Sequence, residues 1–269
     1  MSEVIFDLEN VDYTYLNKFP ALRRVSLNIR SGQRIAITGA NGSGKSTLLH
    51  LLDGLIFPCQ GRISFLGREL KENDFNDAKF CRDFRKNVGF VFQNPDVQLF
   101  CPSVKDDIIF GPLHLGFSRK IIQKNLESVC QILNLTDLLD RQPHQLSVGE
   151  KRKVALASVL VISPQILILD EPTAGLDPLT TRQIIDLLMF ASAEGKTVIT
   201  STHDLHIIEE ISDTVFVFNA DKRLAAFGET KKILGDPVLL KENNLAHIHT
   251  HRHNDGIHLH AHEHLEHHS

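Results

Sequence analysis

No stretch of this sequence approaches the roughly 18 consecutive apolar residues that a membrane-spanning helix needs, so no span is expected. The opening residues, MSEVIFDLEN, carry acidic side chains and no long apolar core, and are not expected to act as a secretory signal. Positive charge is not in excess. Lys and Arg total 29 against 33 Asp and Glu, a formal net charge of −4, which excludes a general electrostatic pull toward nucleic acid. Cys59, Cys81, Cys101 and Cys130 share no CxxC spacing, so neither a zinc framework nor a disulfide scaffold is expected; they read as reduced, cytosolic thiols. There is no internal repeat. What remains is 269 residues, 42% apolar and 23% charged: a globular chain long enough for a sizeable core.

One residue type is unevenly spread. Of 15 histidines, 10 fall in the last 23 residues, from His247 to Ser269. The body and this tail therefore call for separate readings. In the body, residues 3–8 and 22–38 alternate or run apolar with β-branched side chains, the pattern of strands. Residues 62–66 and 87–92 are further short strands. From Pro95 to about Ser163 the pattern turns helical, with Ile121, Ile122, Leu126, Val129, Ile132 and Leu133 at helical spacing and Ser118 placed to cap them. Residues 165–169 are a continuous apolar run, as in a strand buried on both faces, and 197–201 reads as another buried strand. Residues 182–193 form an amphipathic helix, and 213–218 with 223–227 a closing hairpin. Strands alternating with helices, plus a helical insert, predict an α/β fold.

Three motifs stand on this frame. Gly39-Ala40-Asn41-Gly42-Ser43-Gly44-Lys45-Ser46-Thr47 follows a strand and precedes a helix, the context of a phosphate-binding loop. Its glycines let successive N–H groups point at phosphate oxygens, and the helix N-terminus adds partial positive charge. Lys45 would reach the β- and γ-phosphates and the Ser46 hydroxyl would ligate Mg²⁺. Next, the apolar strand 166–169 ends in Asp170-Glu171. Asp170 would hold Mg²⁺ and Glu171 would accept a proton from, or orient, attacking water. Last, Leu146-Ser147-Val148-Gly149-Glu150 precedes an apolar helix. Ser147 and Glu150 have capping-box spacing, and the same helix end is placed to face a second phosphate chain; both readings stand together.

With these motifs in this order, the chain resembles the nucleotide-binding subunit of an ABC transporter from about residue 3 to residue 235. The resemblance implies a P-loop NTPase: a RecA-like core sheet, an N-terminal antiparallel β portion and a helical subdomain inserted at about 95–163. It implies an ABC ATPase domain over 1–235, then a linker over 236–246 and the tail over 247–269. It also supplies roles. Tyr15 resembles the aromatic that stacks on adenine, with Tyr13 as the alternative. Gln93 resembles the lid glutamine that touches Mg²⁺ and communicates with the membrane subunit. Gly175-Leu176-Asp177 resembles the loop crossing the dimer interface, although Asp177 also reads as a helix cap before Pro178. His203 resembles the switch histidine on the γ-phosphate. Ser147 and Gly149 are the signature positions that touch that phosphate. Val148 and Glu150 depart from the usual signature, and Glu150 brings a negative charge near it.

The run Val91-Phe92-Gln93-Asn94-Pro95-Asp96-Val97-Gln98-Leu99-Phe100, with Pro20-Ala21-Leu22 after Tyr15, resembles the energy-coupling-factor branch, although the residue at 97 is usually acidic. ATPases of that branch serve uptake of cobalt, nickel and vitamins. The implied protein is an ATP- and Mg²⁺-dependent motor, a homodimer or a heterodimer with a second ATPase subunit. Its partners would be an integral membrane coupling subunit and a substrate-binding membrane subunit, with no nucleic acid, at the cytoplasmic face of the membrane. Residues 93 to about 117 would be the docking surface, with Phe92, Leu99, Phe100 and Phe110 more apolar residues than a lid needs; the alternative is that all four are core. The alternatives are a vitamin importer of the same branch and a soluble non-transport ABC ATPase, though the gap between phosphate loop and signature leaves no room for a long coiled-coil insert.

In the tail, His247, His249, His251 and His253 alternate with other residues, as do His258, His260, His262 and His264. Imidazole suits Ni²⁺, Co²⁺, Zn²⁺ and Cu²⁺, and nickel or cobalt fits the branch. A vector-derived tag does not alternate, although Leu265-Glu266-His267-His268 looks tag-like; the alternative is a floppy His-rich tract with weak, heterogeneous binding. A two-residue turn at Asp255-Gly256 would set His253 against His258, His251 against His260, His249 against His262 and His247 against His264. The strand period of two would place all eight on one face. Such an isolated hairpin is marginal without metal, and binding would fail as pH falls through about 6.

Overall fold

The computed structural model describes residues 2–245 in full and the backbone of 247–253 and 256–262. In chain order the elements are β1 (Val4–Tyr15), β2 (Phe19–Arg30), β3 (Arg34–Gly39), α1 (Lys45–Leu52), β4 (Gln60–Phe65) and β5 (Arg68–Glu69). There follow α2 (Ala78–Asn87), β6 (Val88–Val91), α3 (Val104–His114), α4 (Arg119–Leu133), α5 (Val148–Leu160), β7 (Ile166–Asp170) and α6 (Pro178–Ala193). The rest are β8 (Thr197–Ser201), α7 (Leu205–Ile211), β9 (Thr214–Phe218), β10 (Leu224–Glu229), α8 (Thr230–Leu234), α9 (Pro237–Glu242), β11 (His247–His253) and β12 (Gly256–His262).

The six-stranded sheet runs β10-β9-β3-β8-β7-β6 and the four-stranded one β2-β1-β4-β5. In the larger sheet all pairings are parallel except β10 with β9. β7 and β8 are buried along their whole length; β7 is apolar up to Asp170, whereas β8 buries Thr197, Thr200 and Ser201 beside its Val and Ile. Antiparallel pairing joins β1 to β2 and β4. The α/β expectation, with an antiparallel N-terminal sheet and helical parts, holds.

Several boundaries differ from the sequence reading. The segment 22–38 is two strands, broken at Ser31-Gly32, where Gly32 takes φ 75°. Asn87, expected in a strand, closes α2, an element the reading missed. Amphipathic α2 carries one fully buried residue, Phe84, whose ring meets Phe65 at 5.0 Å and Phe75 at 5.2 Å. The helical stretch from 95 is three helices, α3 to α5, with Ser118 capping α4 through its bond from the Ile121 N–H. Leu99, expected on a docking surface, is a core residue, 7% exposed beside Val104, Ile108 and Leu126. It is apolar because it packs, so only Phe100 and Phe110 of that set remain exposed.

β11 and β12 pair as the expected hairpin, in a different register. His247 faces His262, His249 faces His260, His251 faces His258, and His253 faces Gly256. The expected pairings of His253 with His258 and of His251 with His260 are thus off by two positions on the second strand, because Gly256 joins the strand instead of the turn. A shift of two leaves every residue on its original face, since alternation fixes parity while the turn fixes register. His264, expected opposite His247, lies outside the described residues.

Phe84→Ala should empty the aromatic pocket under α2 and cost about 3–5 kcal/mol, read as a lower urea midpoint with unchanged secondary structure. An unchanged midpoint would show that α2 is not anchored there.

Candidate functional site

The glycine loop is set by close backbone packing. A Cβ at Gly39 would lie 2.3 Å from the Phe218 carbonyl oxygen, and one at Gly44, where φ is 106°, 2.3 Å from that of Ala21. Only glycine lets the loop pass between β2 and β9. No side chain caps the N-terminus of α1, so its first N–H groups stay open to an anion. Ser43 is buried with its hydroxyl unpartnered. Lys45 is buried, and its Nζ donates to the Gly39 carbonyl at 2.8 Å. Burial lowers its pKa, opposed by the charges of Glu171 and Asp170. An uncapped helix end, an orphan hydroxyl and a buried ammonium fit a polyphosphate.

The parallel register carries three strand ends to one edge. Asp170 pairs with Ser201 in the sheet, and the Ser201 hydroxyl donates to Asp170 Oδ1 at 2.5 Å. The Glu171 N–H donates to Ser201 Oγ at 2.9 Å. Glu171 is held at φ 45°, a left-handed conformation costly for a side chain of its size, and is 6% exposed. His203 Nδ1 lies 3.0 and 3.1 Å from the two carboxylate oxygens of Glu171. That hydrogen bond raises the His203 pKa, with burial opposing it.

A pocket of about 530 Å³ collects Tyr15, Phe19, Pro20, Asn41, Gly42, Gly44, Lys45, Ser46, Thr47, Gln93, Asp170, Glu171 and Lys222 on its wall. Gly39 and Ser43 sit behind that wall, and His203 reaches it through Glu171. The Ser46 hydroxyl, the Asp170 carboxylate and the Gln93 amide are hard oxygen donors on one wall, the type that suits Mg²⁺. Tyr15 donates to or accepts from Thr47 Oγ1 at 3.2 Å and is 38% exposed at the rim. Tyr13 packs against the core, edge-on to Tyr15.

Three contributors went unread in the sequence. Lys222, in the β9–β10 turn, hydrogen-bonds the Gly42 carbonyl and brings a second ammonium to the pocket. Gln98 accepts from the Phe92 N–H at 3.1 Å and donates to the Ala155 carbonyl at 2.8 Å. Buried Arg152 donates to the Phe92 carbonyl at 2.9 Å. Both backbone groups preceding Gln93 are thus tied to α5. Most of these contacts join residues far apart in sequence, Gln98 with Ala155, Arg152 with Phe92 and Lys222 with Gly42, and only the bond between Gln98 and Phe92 is local.

Ser147, Gly149 and Asp177 are not brought to this pocket. They line another, of about 320 Å³, with Val148, Glu150, Lys153, Gly175, Leu176 and Thr180, and the two walls share no residue. Ser147 and Glu150 form the expected capping box. Glu150 Oε2 accepts from the Ser147 N–H and hydroxyl, each at 2.8 Å, and these bonds hold its pKa low. The Glu150 charge is thereby turned back onto the helix end. Asp177 caps α6 through the Thr180 N–H at 2.9 Å. A Cβ on Gly149 would meet nothing closer than Thr180 Oγ1 at 3.6 Å, so the chain's own packing does not demand glycine there.

The sequence matches the ABC transporter family over residues 22–174. It is 48% identical over 243 residues to the nickel import ATP-binding protein NikO of Rhodobacter capsulatus, spanning 89% of this chain and 95% of that one. It is 38% identical to the energy-coupling factor transporter ATP-binding protein EcfA of Methanothermobacter thermautotrophicus, spanning 90% and 76%. Among solved structures it resembles CbiO1 of Clostridium perfringens, part of the ABC transporter complex CbiONQ, with TM-score 0.75 and 36% identity over 90% of this chain and 95% of that one.

The His203 imidazole should titrate above its ordinary value of about 6.5 in the nucleotide-free protein, because protonation is favoured beside a carboxylate. Glu171→Gln removes that partner and should move the titration downward, followed by NMR of the ring. No downward movement would mean that Glu171 does not hold His203.

Proposed function

The chain belongs to the ABC transporter ATP-binding proteins, ATPases coupled to transport, and we propose that it is the motor subunit of an importer for nickel or cobalt ions. The observation that carries the motor role is the gathering of Lys45, Ser46, Asp170 and Glu171 at one sheet edge, with His203 on Glu171. Lys45 and the α1 N-terminus would bind the phosphate chain, Tyr15 the base, and Ser46, Asp170 and Gln93 the Mg²⁺. Bound Mg²⁺ would neutralise phosphate charge. Glu171 would take a proton from, or orient, water, and His203 would hold Glu171 and face the γ-phosphate. The metal substrate rests on the likeness to NikO and on the histidine tail, the proposed site for Ni²⁺ or Co²⁺.

Neither wall is complete alone. The signature residues Ser147 and Gly149 stand at their own pocket, open to another molecule. A head-to-tail dimer, homomeric or with a second ATPase subunit, would set one chain's signature on the other's phosphate loop and enclose two ATP. Binding would close it and hydrolysis reopen it. Among the described residues no helix is long and apolar enough to cross a membrane. By its likeness to importer ATP-binding subunits, the chain would act from the cytoplasmic face, peripherally, on an integral coupling subunit with a substrate-binding membrane subunit.

Two exposed rings mark the proposed contact with that coupling subunit. Phe100 is 66% and Phe110 39% exposed, their centroids 4.9 Å apart, with Val97 and Leu113 exposed nearby. An aromatic pair wasted on water is the chemistry of an interface anchor.

Glu171→Gln should lower turnover by about 100-fold or more while ATP still binds, since an amide keeps the shape but cannot take the proton. Hydrolysis and nucleotide binding measured on one preparation check this, and near-native turnover would remove Glu171 from that role. Phe100→Asp with Phe110→Asp should abolish co-purification with the membrane subunits and leave the thermal midpoint within a few degrees. Normal assembly would place docking elsewhere.

A further inference from the structure

Among the described residues, the wall of the nucleotide pocket carries the ammoniums of Lys45 and Lys222, the carboxylates of Asp170 and Glu171, and no other charged side chain. Lys45, Asp170 and Glu171 each have a part in the ATP reading, and Lys222 has none. Yet its charge decides the sign of the wall. With it the formal charges cancel; without it the wall is net negative and opposes a polyphosphate.

Lys222 reaches the pocket from a turn that presents it. Its backbone is left-handed, φ 66°, a conformation costly for any residue but glycine. The Asn219 carbonyl accepts the Lys222 N–H at 3.1 Å, and Asn219 Oδ1 accepts the Arg223 N–H at 3.0 Å, which closes the turn between β9 and β10. From the other side, the Lys222 carbonyl accepts the Arg23 N–H of β2 at 2.8 Å. The main chain is thus tied in two directions, and the half-buried side chain lies against the glycine loop, its Nζ donating to the Gly42 carbonyl. Lys45 holds the start of the same loop through the Gly39 carbonyl. An ammonium has three N–H donors, and the Gly42 carbonyl takes one of those of Lys222.

We infer that Lys222 is a second phosphate ligand of this site, keeping one donor on Gly42 and turning the others to the phosphate chain of the nucleotide. The inference rests on the ATP reading of the pocket. A lysine acts here as a point charge on a flexible stem, so another cation of similar reach replaces it and a neutral side chain does not.

Calorimetry of ATP binding to the full chain tests this, in EDTA so that nothing is hydrolysed, at low and at high salt. Lys222→Gln keeps a donor for the Gly42 carbonyl but loses the charge, whereas Lys222→Arg keeps the charge. The first should bind ATP roughly tenfold more weakly at low salt and lose less affinity than the native chain as salt is raised. The second should stay within about threefold of the native affinity. Lys222→Gly removes the charge and also relieves the left-handed backbone, so its thermal midpoint should not fall while its ATP affinity drops by about tenfold. Native-like affinity in Lys222→Gln or Lys222→Gly would overturn the inference. Equal losses in Lys222→Gln and Lys222→Arg would overturn it too, since Lys222 would then be a clamp on the loop and not a ligand. If the native chain itself binds no ATP, the reading of the pocket fails, and this inference with it.

Discussion

The hydrogen bond from Ser201 to Asp170 is the contact on which the site depends. It spans two buried parallel strands, β8 and β7, at the point where both end. Two adjacent carboxylates at the close of an apolar strand would otherwise repel one another and lack solvation. Ser201 resolves this in two directions. Its hydroxyl donates to Asp170, and its oxygen accepts the Glu171 N–H, which pins Glu171 in a left-handed turn. Parallel pairing of β3 with β8 then brings the glycine loop to the same edge, so Lys45 meets the carboxylates. In an open parallel sheet, ligands bind beyond the carboxyl ends of the strands, and here the reason can be read residue by residue.

The signature residues lie away from this edge, on a wall of their own. α5 starts at Ser147 and runs away from the signature pocket toward Phe92, where Arg152 and Gln98 fasten the loop that carries Gln93. The signature end and the lid end of α5 are therefore mechanically joined.

What the sequence revealed and what it hid divide along one line. The glycine loop, the strand-end carboxylates and the Ser147–Glu150 box are local patterns, and all three stand where their spacing put them. Tyr15 and Tyr13 stand two apart on β1 and touch one another, so alternation could not separate them; what does is position along the strand, Tyr15 at its end beside Thr47 and the pocket, Tyr13 one step back against the core. Leu99 and Phe100 look alike in sequence; a helix packed over one and not the other makes the first core and the second surface. Lys222 and Arg152 act across long separations that no local pattern marks, and Gln98, though part of a quoted run, reaches α5 only through the fold. The tail shows the division most sharply. Alternation fixed which face carries the histidines, while the register, set by whether Gly256 belongs to the turn or the strand, differed by two positions.

The central claim is that a working site is shared between two chains. Mixing inactive Lys45→Ala chains with inactive Ser147→Ala chains tests it directly, because each mixed dimer would contain one site with an intact phosphate loop and an intact signature. ATP hydrolysis should return in the mixture to about a quarter of the native rate, for random pairing of two independent sites. A mixture in which heterodimers are demonstrated by mass and hydrolysis stays at the level of the separate variants would contradict the account.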